Sequence, residues 1–158
     1  MLPTAQAEGK EREKEMKTGL ILEGGAMRGM FSAGVMDVMM ENGIRFDGII
    51  GVSAGAAFGV NYKSGQIGRA IRYNAKYCRD KRYCGVGSLL KTGNLFNTEF
   101  CYGEMPLKLD VFDFDTYEKD PTAFYVTCTD IESGKPVYHE YTGRKDHGFD
   151  WILSLIHI

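Results

Sequence analysis

Residues 46–62 read FDGIIGVSAGAAFGVNY, a short apolar segment followed by a glycine-flanked serine and a run of small residues. The apolar part, 46–51, predicts a buried strand, and the residues from Ser53 to Tyr62 predict a closely packed helix. A serine between two glycines at such a junction is typical of a strained strand-to-helix turn that exposes its hydroxyl. This stretch therefore predicts the local fold together with a candidate nucleophile, Ser53.

The segment before it is organised in the same way. Residues 19–23 read GLILE, which predicts another buried strand, and Gly24-Gly25 ends it. A helix is predicted from Arg28 to Asn42, and this alternation of strands and helices predicts a parallel sheet with helices on its faces. The helix should turn one set of residues inward: Met30, Phe31, Gly34, Val35, Val38 and Met39.

The rest of the chain is less regular. A further helix is predicted over 65–83, and residues 84–110 predict loops and short turns. Two β-rich segments, 122–131 and 136–141, flank a turn and predict a hairpin. In the 65–83 helix we expect Ile67, Ala70, Ile71, Asn74 and Cys78 inward, with an outward basic face that includes Lys63, Arg69 and Arg72.

Composition excludes several classes of function. A chain of 158 residues suits one domain, and a net charge of −2 offers no global attraction for nucleic acid or an anionic membrane. No apolar run approaches the roughly 20 residues of a membrane span, so membrane contact should be peripheral at most. The cysteines form no C-x-x-C pair and no zinc-ligand spacing with the three histidines, which predicts reduced thiols, no metal and a cytoplasmic location. They are Cys78, Cys84, Cys101 and Cys128.

The motif G-x-S-x-G carries the candidate chemistry. A serine hydroxyl is a weak nucleophile, so it needs a fixed exposed position, a base and donors for the oxyanion. Flanking glycines remove side chains that would clash at the turn, and the next amide points into the site from a helix N-terminus. The alternative is a serine that merely caps a helix. The motif, called the nucleophile elbow below, consists of Gly51, Val52, Ser53, Ala54 and Gly55.

A second glycine cluster lies between the first strand and the first helix. Such a turn presents backbone amides to a negative charge, which fits an oxyanion hole beside the nucleophile elbow. The alternative is a dinucleotide site, but Ala26 replaces the glycine in its third position, and the next strand ends in the serine turn rather than in an acidic residue. This glycine loop consists of Gly24, Gly25, Ala26, Met27, Arg28 and Gly29.

The two motifs together resemble the patatin-like phospholipases. That family has an acidic residue and a glycine-rich loop, here Glu23 through Gly29, and then G-x-S-x-G after one helix and one strand. The resemblance runs from about Thr18 to Ile152 and extends to one bacterial branch. It implies a three-layer α/β fold with a parallel sheet, C-terminally truncated in this chain. The segments similar to that branch are 65–69, 91–96 and 129–138.

The resemblance also implies roles for residues. Ser53 would attack an ester carbonyl of a lipid, and amides near Gly25 and Ala26 would stabilise the oxyanion, with no cofactor. Arg28 would brace the glycine loop through its guanidinium. Ala26 stands where a glycine is commoner, and its amide is expected to donate if its φ is negative. Runner-up activities are a thioesterase or an acyltransferase with the same elbow.

The general base implied by the resemblance is an aspartate in an Asp-Gly-Gly or Asp-Gly-Ala motif, and neither motif occurs in this chain. We therefore expect it to lie beyond residue 158, which makes a catalytically incomplete fragment or an acyl-binding pseudoenzyme the alternative function. Asp130 ends a strand and suits a turn better than a dyad. His139 or His147 would instead complete a triad in the order Ser, Asp, His, and His157 carries little weight.

These observations divide the chain into three segments. Residues 1–17 are expected to form a disordered or weakly helical leader, with Met16 as a candidate start. The resemblance implies that residues 18–152 form a partial patatin-like domain, and 153–158 are expected to be a non-native tail. Residues 83–109 are the region that would shape an acyl pocket. A truncated sheet predicts an unpaired edge, exposed apolar surface and poor solubility.

Overall fold

The computed structural model describes residues 16–93, 96–146 and 149–153. Within them, four strands form one sheet in the order β1-β2-β3-β4. The first three run parallel, and the fourth returns antiparallel to the third as the predicted hairpin. The predicted α/β class is therefore confirmed. The strands are β1 (Gly19–Leu22), β2 (Gly48–Gly51), β3 (Ala123–Thr129) and β4 (Pro136–Glu140).

The helices of the same residues follow the predicted alternation through the first half of the chain. The segments expected as a leader and a tail lie mostly outside the described residues, and so do His147 and His157. Short 3₁₀ turns occupy Ala26–Arg28 and Arg144–Asp146, and a π-helix occupies Glu99–Leu109. The α-helices are α1 (Gly29–Glu41), α2 (Ala54–Lys63), α3 (Arg69–Tyr77), α4 (Val86–Thr92), α5 (Phe114–Lys119) and α6 (Asp150–Leu153).

One face of the sheet is buried beneath α2. Leu22, Ile49 and Phe124, one from each parallel strand, are at most 5% exposed on this face. The close approach of α2 depends on its small residues, since a Cβ on Gly59 would lie 2.6 Å from Leu22 Cδ1. Because α2 begins directly after Ser53, this packing fixes the serine at the carboxyl end of β2.

The opposite face of the sheet is largely open. Ile21 is 77% exposed and Tyr138 is 59% exposed, and no helix of the described residues covers them. These residues therefore form the sheet and one helical layer of the three-layer fold. The strand predicted at 19–23 is present as β1, but its predicted burial is wrong, because among the described residues β1 lies at the edge of the sheet and only its Leu22 side is covered.

The helix predicted from Arg28 to Asn42 is present, and its predicted inward face is partly wrong: Met30 and Met39 pack against the core as expected, but Phe31, Val35 and Val38 are exposed. Phe31 is 80% exposed and Val38 is 56% exposed, whereas Ala33 and Met36 are buried. The reason is the close packing of α1 on α2. A Cβ on Gly29 would lie 2.9 Å from a ring carbon of Phe58, so a residue without a side chain forms this contact, while Phe31 and Val38 face outward.

The helix predicted over 65–83 is shorter and rotated. It is α3, and of the expected inward residues Ala70 and Asn74 are buried, whereas Ile67 and Cys78 are exposed. The expected outward face is also partly wrong, because Lys63 and Arg69 are buried. Burial is favourable for Arg69 because acceptors surround its guanidinium: Nη1 donates to Asn61 Oδ1 at 2.7 Å, and Nε donates to the Asp110 carbonyl at 3.1 Å.

The prediction of loops across 84–110 is wrong in its main part. The segment contains α4 and the eleven-residue π-helix, which buries Phe100, Cys101 and Met105. A π-helix has more residues per turn than the 3.6 of an α-helix, so its buried positions do not match the spacing that identifies α-helices in a sequence.

Candidate active site

The nucleophile elbow is tightly packed and strained. Ser53 has φ 50° and ψ −120°, a backbone conformation that residues with side chains rarely adopt. A Cβ on Gly51 would lie 2.5 Å from Ala56 Cα, and a Cβ on Gly55 would lie 2.3 Å from the Leu22 carbonyl oxygen. Both neighbours are backbone atoms, which explains why both flanking positions are glycine.

The glycine loop lies directly beside the elbow. Strands β1 and β2 pair in parallel with Leu22 opposite Gly51, so the segments that follow them leave the sheet side by side. A Cβ on Gly24 would lie only 3.2 Å from Ser53 Cβ, which leaves little room for a larger residue between the loop and Ser53. The expected juxtaposition of the two motifs is present.

Amides near Ser53 are available to an oxyanion. Within the described residues, the backbone N–H groups of Gly25, Ala26 and Ala54 donate to no backbone carbonyl. Ala26 has φ 46°, so the negative φ that we required for its donation is absent. Gly25 has an extended φ of 165°, and Ala54 begins α2, which leaves its N–H among the unbonded donors of a helix N-terminus.

Arg28 contributes to the loop mainly through its backbone. Its N–H donates to the Gly25 carbonyl at 3.0 Å and closes the 3₁₀ turn. Its guanidinium lies against Gly25, with Nε 3.6 Å from where a Cβ of Gly25 would be, but it donates no hydrogen bond within the part of the chain described. The side chain thus shields one side of the loop.

The Ser53 hydroxyl is not a helix cap. It makes no capping hydrogen bond to the first turn of α2, and the side chain is half-buried at the wall of a cavity. The capping interpretation of the motif is therefore wrong. No carboxylate or imidazole of residues 16–93, 96–146 or 149–153 is hydrogen bonded to the hydroxyl.

Asp130 belongs to the hairpin turn. Its Oδ1 accepts hydrogen bonds from Ser133 N at 2.7 Å and from Ser133 Oγ at 2.6 Å, and these bonds lower the pKa of the Asp130 carboxyl. Asp130 lies four residues past Val126, the partner of Gly51, or roughly 13 Å further along the strand direction. The expectation that it shapes a turn agrees with this geometry.

His139 has other partners. Its ring stacks on Trp151 with a centroid distance of 3.7 Å, and its Nε2 lies 3.5 Å from Asp146 Oδ1. It projects from β4, which β3 separates from β2 and Ser53. The triad alternative therefore has no support from His139, and His147 lies outside the description.

A cavity of about 110 Å³ has Ser53 in its wall. The elbow and glycine loop contribute Ala26, Met27, Ser53 and Ala54 on one side. The rest of the wall comes largely from 83–109, the region expected to shape an acyl pocket, together with α2, α3, Phe149 and Ile152. The apolar members of the wall include Ala57, Phe58, Phe96, Cys101, Tyr102, Met105, Phe149 and Ile152.

Polar groups in the cavity wall are held in hydrogen bonds or kept neutral. Tyr83 OH donates to Asn74 Oδ1 at 2.6 Å, and burial raises the pKa of Tyr73, Tyr83 and Tyr102. Burial also raises the pKa of the Cys101 thiol to about 12, which keeps it protonated and unreactive at neutral pH. The wall thus suits an apolar ligand, with Arg69 as its buried cation.

Sequence reasoning missed Arg69, Asn74 and Tyr83 as cavity residues. Asn74 had a usable signal, because a polar residue on a predicted inward face needs a buried partner. Arg69 gave no such signal, because its acceptors lie outside its own helix. Asn61 is eight residues earlier in the chain, and Asp110 is 41 residues later.

Two further searches covered the described residues. They contain no cluster of three or more histidine, cysteine, aspartate or glutamate side chains arranged to hold a metal ion. Among their helices, none combines the length and apolar character needed to cross a bilayer.

Comparison with known proteins gave two matches. The model of the patatin-like phospholipase family matches residues 20–152. The uncharacterized protein YjjU of Escherichia coli (strain K12) is 30% identical over 99 residues, which are 60% of this chain and 28% of that protein. The chain therefore spans less than a third of the length of this curated relative.

Proposed function

The chain belongs to the patatin-like phospholipase family, and from this premise we propose that it is a serine acyl-ester hydrolase acting on lipids. The family is one of lipid hydrolases. The finer assignment concerns the residues: Ser53 as the nucleophile, the glycine loop as the oxyanion hole and the cavity as the acyl site. An oxyanion hole would stabilise the reaction of any ester. The feature that favours lipid esters over other esters is therefore the apolar cavity.

In the proposed reaction, Ser53 Oγ attacks the ester carbonyl carbon while a general base takes its proton. The carbonyl oxygen becomes an oxyanion, and the amides of Gly25 and Ala54 are the donors best supported by their missing backbone acceptors. Collapse of the intermediate releases the alcohol, which takes up a proton, and leaves an acyl group on Ser53. Water then attacks this acyl-enzyme and releases the fatty acid.

The observation that carries the proposal is the strained backbone of Ser53. A serine at φ 50° costs about 1–3 kcal/mol, and surrounding structure must hold it there. Here Gly51 and Gly55 allow the packing that does so, and Gly24 brings the loop against the serine. Such strain is expected where a side chain must be presented at a fixed point.

The cavity supports an acyl chain as ligand. Its wall combines aromatic rings from Phe58, Phe96 and Phe149 with the thioether of Met105, and it starts at the nucleophile. Apolar burial of a chain there is favourable at about 0.8 kcal/mol per methylene. Free thiols at Cys78, Cys84, Cys101 and Cys128 favour a cytoplasmic location for the reaction.

The general base in this proposal is an aspartate that none of the described residues brings to Ser53. The support is the free Ser53 hydroxyl, which has no acidic or imidazole partner in the described chain. The same observation favours a second candidate function, an acyl-binding fragment without turnover. A thioesterase or acyltransferase would use the same elbow and differs only in the acyl donor or acceptor.

Labelling with a fluorophosphonate tests the proposal. We expect the probe to modify Ser53 in a longer version of the polypeptide that includes the aspartate, and more slowly in residues 1–158. Ser53→Ala should lose labelling and hydrolysis of phospholipid and p-nitrophenyl esters, whereas Ser133→Ala, at an exposed turn serine, should keep both. Hydrolysis that survives Ser53→Ala would contradict the proposal. Faster turnover of acyl-CoA than of lipid esters would favour the thioesterase.

A further inference from the structure

Two leucines on α4 are exposed beside the cavity. Leu90 is 83% exposed and Leu89 is 46% exposed, although neither lines the cavity. We propose that they form, with Met27, an apolar rim that docks the protein on the surface of a lipid aggregate. This inference rests on the proposed lipid substrate, but its test is independent of catalysis.

The rim is attached to the wall of the cavity. Tyr83 and Phe96, both in that wall, flank α4 in the chain, and their rings meet edge to face at 5.8 Å. A backbone bridge between Cys84 and Phe96 ties the two ends of the α4 segment together. The exposed leucines therefore lie close to the cavity rather than on a remote surface.

Met27 completes the rim on the nucleophile side. It lines the cavity beside Ser53 and is still 44% exposed, so the cavity reaches the surface there. Phe96 and Tyr102, on the α4 side of the cavity, are half-buried. Wall residues on both the Met27 side and the α4 side are thus partly accessible to solvent, and the proposed rim lies at these two places.

Positive charge precedes α4 in the chain. Arg79 and Lys81, just before Tyr83, are exposed and form no ion pair within the described residues. Arg82, by contrast, pairs with Asp80 at 2.9 Å. Unpaired cations beside exposed leucines fit a surface with anionic headgroups and an apolar interior.

A lipid surface suits this place better than a protein partner. A protein bound across Leu90 and Met27 would cover the opening through which an ester must reach Ser53. A lipid aggregate in the same position would supply that ester, and its acyl chain would pass into the apolar cavity without crossing water.

Vesicle cosedimentation tests the rim. The full chain is mixed with vesicles of phosphatidylcholine and phosphatidylglycerol in equal amounts, and binding of wild type is compared with Leu89→Ser/Leu90→Ser. We expect binding to weaken roughly tenfold or more, because two apolar side chains no longer insert. The matched control is Leu107→Ser/Val111→Ser, which removes two exposed apolar residues (58% and 60%) outside the rim and should bind as wild type.

Charge and catalysis are separated by further variants. Arg79→Gln/Lys81→Gln should weaken binding to the mixed vesicles and leave binding to pure phosphatidylcholine unchanged. Ser53→Ala should bind vesicles as wild type, so that failed labelling of Ser53 would overturn the proposed function and leave the rim intact. Melting temperatures identify any variant that binds poorly because it is unfolded.

Equal vesicle binding by wild type and Leu89→Ser/Leu90→Ser would overturn the rim. So would a change of oligomeric state in that variant by light scattering without a change in vesicle binding, since the leucines would then contact a second copy of the chain. Loss of vesicle binding in the rim variant, with retention in the Leu107→Ser/Val111→Ser control, would support it.

Discussion

The two sides of the cavity are held in place by different means. On the side of Ser53, glycines leave no room for side chains, and the backbone itself fixes the geometry. On the side of α3 and the π-helix, aromatic side chains and the buried guanidinium of Arg69 make the contacts. We therefore expect the side of Ser53 to tolerate almost no substitution, whereas single side chains on the side of α3 and the π-helix can be replaced more readily.

The sharpest test of the backbone side is Gly55→Ala. The new Cβ would lie 2.3 Å from the Leu22 carbonyl oxygen, so the elbow must shift, and we expect a loss of about 3 kcal/mol or more in the free energy of unfolding. Urea denaturation measures it. The control is Gly34→Ala in α1, where a Cβ would meet only Ile71 Cδ1 at 3.8 Å and should stabilise the helix by about 0.5–1 kcal/mol. Equal effects of the two substitutions would refute the packing argument.

The side-chain half is tested at Asp110, which two arginines share. The Arg69 side chain is 4% exposed, and Arg69→Met would leave Asn61 and the buried side of Asp110 without their donor. We expect a loss of about 3 kcal/mol in the free energy of unfolding. Arg72 donates to both carboxylate oxygens of Asp110 at 2.8 Å but is 54% exposed, so Arg72→Met should cost less than about 1 kcal/mol. A larger effect at Arg72 in thermal or urea unfolding would reverse this ranking.

The smallest expected effect separates strain from chemistry at the nucleophile. Ser53→Gly and Ser53→Ala both remove the hydroxyl, but only glycine adopts φ 50° without strain. We expect the glycine variant to be more stable than the alanine variant by about 1–2 kcal/mol in urea unfolding. If the two variants unfold at the same urea concentration, the surrounding structure does not hold Ser53 under strain.

The backbone side of the cavity was largely predictable from sequence. Its signals are local: a strand, a glycine turn and a serine between glycines require only neighbouring residues, and parallel pairing then brings the turns after β1 and β2 together. The hairpin of β3 and β4 was predictable for the same reason. The prediction that failed on this side was a negative φ for Ala26. Alanine generally prefers negative φ, but this preference does not take into account how the glycine loop packs.

The side-chain half was poorly predictable because its determinants are distant in the chain. Arg69 is buried because its guanidinium donates to the carbonyl of Asp110, which lies 41 residues further along the chain. This contact leaves the local hydrophobic pattern unchanged. The π-helix lacks the 3.6-residue spacing that identifies helices, so its cavity residues such as Met105 had no recognisable signal.

The stack of His139 on Trp151 has a practical consequence. Trp151 is the one tryptophan of the chain, and its neighbour Ile152 lines the cavity. Its intrinsic fluorescence therefore originates from one place, at the contact between β4 and α6. We expect tryptophan emission to change when α6 moves relative to β4 and when a ligand fills the cavity. Ligand binding could then be titrated by fluorescence without an attached dye.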